Sequence, residues 1–320
     1  MRSVEDLKVV AFGGGTGLPV LLRGLRDRVG DLTAVVTVAD DGGSSGRLRQ
    51  ELGVAPPGDV RNCLVALAGR RRLAEVFNYR FEAPGDLNDH SVGNIIIAAL
   101  ADMAGGFCEG VEQASQFLRI KGRVFPAAME SLTLVVRYAD GTVTRGESVV
   151  HETGKQASEV AVEPAGVPAP RGVIEAIEDA DVIVLAPGSL FTSTIPALLG
   201  GGVREALEDF TGPVVYVANV MTQQGETGGF TVSDHVRAIS KHVGPVVTDV
   251  LVHAGDLPPG TLARYEAEGA TPVVVDSGSL RKMGLHLTER DLLSSESSSG
   301  VRHDPGLLAR EVCEAVLVRL

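Results

Sequence analysis

The chain has 320 residues, and 44% of them are hydrophobic, which is enough for a sizeable core. The formal net charge of -12 opposes binding to the phosphate backbone of nucleic acids. With 4% aromatic residues and no Trp, the chain also lacks the material for a platform that stacks single-stranded bases. A local site can still bind a small phosphorylated ligand against this overall charge.

The three cysteines, Cys63, Cys108 and Cys313, are widely spaced and fit neither a disulfide framework nor a zinc motif. Charged residues interrupt the N-terminal stretch MRSVEDLKVV, which is not typical of a signal peptide. No apolar run approaches the roughly 18 residues that a membrane span needs. We therefore expect a cytoplasmic protein with reduced thiols, no membrane span and no redox cofactor.

Short apolar runs recur along the chain, each followed by Gly, Asp or Ser and then by a helical pattern. Runs rich in Val, Ile and Leu that do not alternate with polar residues are typical of strands buried on both faces of a parallel sheet. The predicted strands are residues 9–12, 33–38, 181–186, 213–220, 246–252 and 271–276. With amphipathic helices between them, they predict a Rossmann-like three-layer α/β fold: a mostly parallel sheet with helices on both faces.

Two helix starts are predicted from capping residues. Ser233 precedes an apolar face at positions 236, 239 and 243, so it is a candidate N-cap. Asp304 followed by Pro305 is a second N-cap, with proline at the first helical position.

Residues 131–150 break the rhythm of strand and helix. Alternating apolar residues lead to Asp140-Gly141, a turn signal, which predicts a β-hairpin inserted between the two halves of the sheet. Residues 151–170 are rich in Pro, Gly and Glu and predict an irregular connector, and SSESSSG (294–300) has the composition of a flexible loop. We expect residues 1–320 to form a single domain.

The first candidate site follows the first strand, where a glycine-rich turn leads into a helix. Glycines let the backbone approach a phosphate closely, and a helix N-terminus offers free N–H groups. The turn is neither a Walker A loop nor a full dinucleotide fingerprint, and a tight turn without a ligand is the alternative. The candidate phosphate-binding residues are Gly13, Gly14, Gly15, Thr16 and Gly17.

A second loop of this kind follows the strand at 181–186. Two loops of N–H and hydroxyl donors in one fold suit a diphosphate between them. Its candidate ligand residues are Gly188, Ser189, Leu190, Thr192 and Ser193. Asn219 and Thr222 follow the next strand and are candidates for contacts with a base or ribose, although a polar loop without a ligand fits equally well.

Asp40 and Asp41 follow the second strand, where paired carboxylates can bind Mg²⁺ or act as a general base. Ser44 and Ser45 lie in a glycine-rich loop that can form an anion nest, and Arg47 adds a positive charge. A solvated Asp-Gly loop is the alternative.

Two further helix starts carry polar residues that a ligand could reach. Asp59 is predicted as the N-cap of a helix whose first turn holds Asn62. His90 precedes another helix, with Asn94 on its first turn. His90 is a candidate acid, base or ligand contact, but a structural hydrogen-bonding role is the commoner use of such a histidine.

Taken together, these segments resemble the YvcK/CofD-like family. The matching strings come in the family's order over nearly the whole chain: FGGGTGLPVLLRGL, VTVADDGGSSGRLR, PPGDVRN, HSVGN, APGSLFTS and VANVMTQQGET. The second and third strings have the form of the bacterial YvcK branch, the gluconeogenesis factors. The resemblance implies binding of UDP-sugars such as UDP-N-acetylglucosamine, and a regulatory role in cell shape and envelope synthesis under gluconeogenic growth.

The other branch, 2-phospho-L-lactate transferase, uses Mg²⁺ to join a guanylylated phospholactate to the deazaflavin Fo. An acidic residue at the position of Asp59 is implicated there in holding the acceptor. If this chain is an enzyme, Asp59 and Asp41 are its catalytic candidates. Protein partners in envelope synthesis and a homo-oligomer, a dimer, are further expectations.

Overall fold

The computed structural model describes residues 3–82, 84–150, 153–257, 260–293, 301–317 and 319, and within them seven strands pair into one parallel sheet. In chain order these strands are β1 (Lys8–Gly13), β2 (Asp31–Val36), β3 (Arg123–Pro126), β7 (Val182–Leu185), β8 (Val214–Val217), β9 (Asp249–His253) and β10 (His286–Arg290). Residues 294–300, the expected flexible loop, lie outside the described residues.

The strand order is β10-β9-β8-β7-β1-β2-β3, and every pairing in the sheet is parallel. The chain therefore moves outward from β1 to β3, returns to the other side of β1 at β7, and moves outward again. Helices between the strands cover both faces, which confirms the predicted Rossmann-like fold. The reversal of direction between β1 and β7 creates a crevice at the carboxyl ends of these two strands.

The central strands are the ones that the sequence predicted, and the edge strands are the ones it missed. All four residues of β7 and of β8 are buried, as the continuous apolar runs required. The predicted strand at 271–276 is wrong: its Pro272 and Val274 make only isolated bridges. The edge strand β10 instead has the polar sequence HLTER, because one of its edges faces solvent.

Twelve α-helices connect the strands within the described residues. They are α1 (Gly17–Leu25), α2 (Gly43–Leu52), α3 (Gly58–Leu67), α4 (Arg71–Asn78), α5 (Val92–Ala104), α6 (Phe107–Leu118), α7 (Arg171–Glu178), α8 (Val203–Asp209), α9 (Val232–Val243), α10 (Thr261–Ala267), α11 (Ser277–Lys282) and α12 (Pro305–Leu317). None of the described helices combines the length and the apolar character that crossing a membrane requires.

The two predicted caps have different outcomes. Asp304 caps α12, since its Oδ1 accepts the Leu307 N–H at 2.8 Å. The N-cap of α9 is Thr231 and not Ser233, because the Thr231 and Asp234 side chains bond each other's backbone N–H groups in a capping box. Ser233 instead bonds Asp276 in the loop before α11.

The inserted hairpin is present and belongs to a three-stranded antiparallel sheet. Its strands are β4 (Thr133–Tyr138), β5 (Val143–Arg145) and β6 (Ala157–Glu163), in the order β5-β4-β6. The prediction of an irregular connector over 151–170 is therefore wrong for β6, whose buried face alternates with exposed residues. One continuous hydrophobic core includes side chains from both sheets, among them Leu134, Val160 and Val184.

The contact between α1 and α12 depends on a glycine. A methyl group on Gly24 would lie 1.9 Å from the Pro305 carbonyl oxygen, so Gly24→Ala must push the two helices apart. We expect a loss of about 1–3 kcal/mol of unfolding free energy in urea denaturation. Gly278→Ala is the matched control, because that helical glycine has no neighbour within 4 Å and alanine there should be neutral or slightly stabilising. Equal stability of the two variants would contradict this account of the packing.

Candidate functional site

The two predicted phosphate loops meet at the switch point of the sheet. Gly17 follows β1, and a methyl group there would lie 1.7 Å from the carbonyl oxygen of Pro187, which follows β7. Only glycine allows this approach of the two backbones. Gly15, on the same turn, has a φ of +58°, a conformation that also favours glycine.

A cavity of about 480 Å³ opens between these loops, and we call it the switch-point cavity. It brings together eight predicted ligand residues: Gly15, Thr16, Gly17, Gly188, Ser189, Ser193, Asn219 and Thr222. The other predicted residues of the two loops, Gly13, Gly14, Leu190 and Thr192, are buried and do not line it. The crevice that the topology requires therefore has the polar lining that the sequence predicted.

The Asn219 amide is occupied by the second loop. Its Oδ1 accepts the Gly188 N–H at 2.9 Å and its Nδ2 donates to the Gly188 carbonyl at 2.6 Å. Asn219 thus fixes the loop, and its contact with a base or ribose stays a prediction. Its neighbour Gln223 donates to Ser189 Oγ at 2.7 Å, while Gln223 Oε1 has no hydrogen-bond partner among the described residues.

A second cavity of about 410 Å³, here the side cavity, lies next to the first. Five predicted ligand residues line it: Asp40, Ser44, Ser45, Asn62 and Asn94. Asp59 lines it too, and its Oδ2 accepts the N–H of Gly15, a residue of the switch-point cavity, at 2.6 Å. Asp59 therefore stands between the two cavities.

Two predicted ligand residues, His90 and Arg47, do not line the side cavity. His90 is buried, and its Nδ1 is 3.1 Å from Ser44 Oγ, which also accepts a hydrogen bond from Asn94 Nδ2 at 3.1 Å. Burial lowers the pKa of His90, so its ring is neutral near pH 7. The neutral ring hydrogen-bonds to Ser44. Arg47 donates to the Asn88 carbonyl oxygen on the surface.

Asp59 is not the N-cap that the sequence predicted. Its helix α3 begins at Gly58 with Pro57 in the cap position, and no side chain caps it. Burial raises the pKa of Asp59 to about 6, and the nearby Asp40 charge acts in the same direction, while the Gly15 N–H partly opposes the shift. A carboxyl group with this pKa exchanges a proton readily near neutral pH.

The two aspartates predicted to share Mg²⁺ bond to different partners. Asp40 Oδ1 accepts the Gly42 N–H at 2.8 Å, whereas Asp41 Oδ1 accepts the Ser148 N–H at 2.8 Å, in the segment after the inserted hairpin. Across the described ranges, no group of three or more His, Cys, Asp or Glu is placed to hold a metal ion. The shared Asp40–Asp41 magnesium site stays a prediction.

Glu147 is the main lining residue that sequence reasoning missed. It follows β5 and lines the switch-point cavity, although it lies far along the chain from both loops. Burial, with the Asp40 and Asp59 charges in support, raises the pKa of Glu147 to about 9, so it is protonated near neutral pH. Nothing in its local sequence distinguishes it from a surface glutamate.

Three more missed residues line the switch-point cavity: Tyr265, Arg302 and His303. Arg302 brings a positive charge, and burial lowers the pKa of His303 to about 4, so that ring is neutral. The sequence offered a signal here, because Arg302 and His303 directly precede Asp304, the predicted cap of α12, in the same loop-to-helix context as the other sites.

Comparison with known proteins agrees with this architecture. Residues 9–293 match the family model described as 2-phospho-L-lactate transferase CofD. A gluconeogenesis factor from Halalkalibacterium halodurans is 46% identical over 316 residues, which cover 98% of this chain and 97% of the relative. The chain belongs to the CofD family, in the branch of the gluconeogenesis factors.

Other members of the CofD family are similar over comparable lengths. The gluconeogenesis factor of Bacillus subtilis is 44% identical over 299 residues, or 93% of this chain and 94% of the relative. A crystal structure of a protein from Bacillus halodurans superposes with a TM-score of 0.93 at 45% identity, covering 98% of this chain and 99% of that one. The fold and the family predicted from the sequence are confirmed.

The raised pKa of Glu147 predicts a pH-dependent stability. The folded protein keeps this group protonated up to about pH 9, whereas the unfolded chain ionises it near the ordinary value of 4.5. The folded state therefore binds more protons between these values, and stability falls as the pH rises through this window. Glu147→Gln should flatten that fall and raise the melting temperature at pH 8, measured by calorimetry from pH 5 to 9. Glu82→Gln is the control: Glu82 is exposed, so this variant should change neither the pH profile nor the melting temperature. If Glu147→Gln has the same pH profile as wild type, the raised pKa of Glu147 is wrong.

Proposed function

We propose that the protein binds a nucleoside diphosphate sugar of the UDP-N-acetylglucosamine type in the switch-point cavity. We further propose that it acts as a regulator that couples the level of this nucleotide sugar to envelope synthesis and cell shape. The observation that carries the proposal is the contact of Gly17 with Pro187, which joins two strand-to-helix loops into one cavity. Loops of this kind present N–H groups to phosphates, and two of them suit a diphosphate.

The lining of the cavity supports a ligand with three parts. The two glycine loops and Arg302 favour a diphosphate. Tyr265 and Gln223 supply a ring that can stack on a base and an amide that can meet its edge. Glu147 lines the cavity too, and Asp59 adjoins it through its hydrogen bond with Gly15. A volume of about 480 Å³ is within the range of small-molecule sites.

The support that the relatives give to the regulatory half of the proposal comes from their names. The proteins that match over nearly their whole length are called gluconeogenesis factors, and that name states no ligand. A cytoplasmic location, protein partners in envelope synthesis and a homodimer belong to the same proposal and rest on the resemblance of the sequence motifs.

Calorimetric titration with UDP-N-acetylglucosamine, UDP-glucose, GDP and Fo tests the proposal directly. UDP-sugars should bind, and GDP and Fo should bind more weakly or not at all. If no UDP-sugar binds, the proposed function is wrong.

Gly15→Val should weaken binding of UDP-sugars at least tenfold, about 1.4 kcal/mol, because valine disfavours the positive φ and blocks the approach of a phosphate. The measurement is the same titration on a folded variant. Gly284→Val is the control, since Gly284 also has a positive φ, +78°, but has no neighbour within 4 Å and does not line the cavity. If the two variants bind UDP-sugars with similar affinity, the proposal that this loop binds the diphosphate is wrong.

A transferase is the second candidate, and the side cavity favours it. A transferase needs a pocket for an acceptor beside the nucleotide, with a base between them, and Asp59 with a pKa of about 6 has that position. The acceptor oxygen would attack the distal phosphorus of the nucleotide, Asp59 would take the hydroxyl proton, and a nucleoside monophosphate would leave.

Asp59→Asn separates the two candidates, because the amide oxygen can still accept the Gly15 N–H but cannot take a proton. For a regulator, the variant should fold normally and bind UDP-sugar at least as tightly as wild type, since one acidic group is gone. The measurement is titration together with a turnover assay of a nucleotide-activated phospholactate and Fo with Mg²⁺. The transferase is favoured if wild type turns over this substrate and Asp59→Asn loses the turnover but keeps its affinity for the nucleotide.

A further inference from the structure

Glu147 enters the switch-point cavity from outside the parallel sheet. Gly15 and Ser193 belong to loops that leave β1 and β7, whereas Glu147 follows β5 of the small antiparallel sheet. The segment after the inserted hairpin thus contributes a residue to the lining of the cavity. No feature of a Rossmann-like sheet requires such a contribution.

The turn that carries Glu147 is held on both sides. Asp41 Oδ1 accepts the Ser148 N–H at 2.8 Å, and the Gly146 N–H donates to the Leu134 carbonyl at 2.8 Å. A methyl group on Gly146 would lie 2.2 Å from Asp41 Oδ2, so the turn lies directly against this carboxylate. Asp41 therefore links the loop after β2 to the turn after β5. Because it contacts both Gly146 and Ser148, it holds Glu147, the residue between them, in its orientation.

Glu147 lies among other acidic groups. The charges of Asp40, Asp59 and Glu226 all act to raise its pKa, so these carboxylates are its neighbours. Asp59 in turn holds Gly15 at the boundary with the side cavity. Gln223, a candidate for contact with the base, donates instead to Ser189 Oγ of the second loop at 2.7 Å.

Like-charged neighbours make this end of the cavity unsuited to a phosphate. Carboxylates and carboxylic acids suit hydroxyl groups, because a hydroxyl both donates and accepts a hydrogen bond. A carboxyl group that burial keeps protonated can also donate to such a hydroxyl. The group bound here should therefore carry hydroxyls and no charge.

We propose that Glu147 determines the specificity for the sugar on the distal phosphate by hydrogen-bonding its hydroxyl groups, and that Asp41 is the positioning residue that holds Glu147 toward it. The inference rests on the proposed function, binding of a nucleoside diphosphate sugar in the switch-point cavity. It adds that discrimination between a nucleotide sugar and the bare nucleotide depends on the antiparallel sheet.

The test is calorimetric titration of wild type, Glu147→Ala and Glu147→Gln with UDP-N-acetylglucosamine and with UDP. Glu147→Ala should bind the nucleotide sugar at least tenfold more weakly, about 1.4 kcal/mol, and should bind UDP within about twofold of wild type. Glu147→Gln should stay within about threefold of wild type for both ligands, because the amide also donates and accepts.

Asp41 is tested against a control aspartate in the turn of the antiparallel hairpin. Asp41→Ala should reproduce part of the loss for the nucleotide sugar and spare UDP, whereas Asp41→Asn should retain binding because its amide oxygen still accepts the Ser148 N–H. Asp140→Ala is the control: Asp140 accepts the Thr142 N–H at 2.9 Å in the hairpin turn and does not line the cavity. Asp140→Ala should leave both affinities unchanged.

The outcomes separate this inference from the proposed function. If wild type binds neither ligand, the proposed function is wrong and the inference fails with it. If wild type binds both and Glu147→Ala weakens both equally, or neither, the role of Glu147 in sugar specificity is wrong while the proposed function stands. A folded Glu147→Gln as weak as Glu147→Ala would also overturn the hydrogen-bonding role.

Discussion

The close contact between Gly17 and Pro187 is the constraint on which the site depends. Parallel strands that diverge from a switch point leave a crevice at their carboxyl ends, but the width of that crevice depends on the loops that border it. Because Gly17 has no side chain, the loop after β1 can lie against the loop after β7. The N–H groups of both loops then border a single cavity, whereas loops held further apart would form two separate turns.

The second feature of the site is the way it holds several acidic groups close together. Asp40, Asp59 and Glu147 all have raised pKa values, and burial is the largest cause for each. A proton on Glu147 reduces the charge of this cluster near neutral pH. Asp41, which the sequence places beside Asp40, instead bonds to the backbone of the inserted sheet and so takes a structural role.

The strands that the sequence predicted correctly are those buried on both faces. Their continuous apolar runs follow from burial alone, which is why β1, β2, β7, β8 and β9 were visible in the sequence. The edge strand β10 was missed because it carries polar residues and is partly exposed, whereas β3 was missed because its apolar run is only three residues long. The run at 271–276 was misassigned because apolar composition does not distinguish a strand from a segment that makes only isolated bridges.

The sequence by itself determined the fold class and the two glycine loops, because glycine-rich turns between a buried strand and a helix are local patterns. It also identified Asp59, although it assigned that residue to a cap on its own helix. Only the tertiary structure decided that Asp59 bonds to Gly15, that Asp41 turns toward Ser148, and that Glu147 reaches the cavity. Each of these contacts joins residues more than 40 positions apart, and the direction of a side chain toward such a partner is set by the packing of the two sheets and their helices. The local sequence carries no record of that packing.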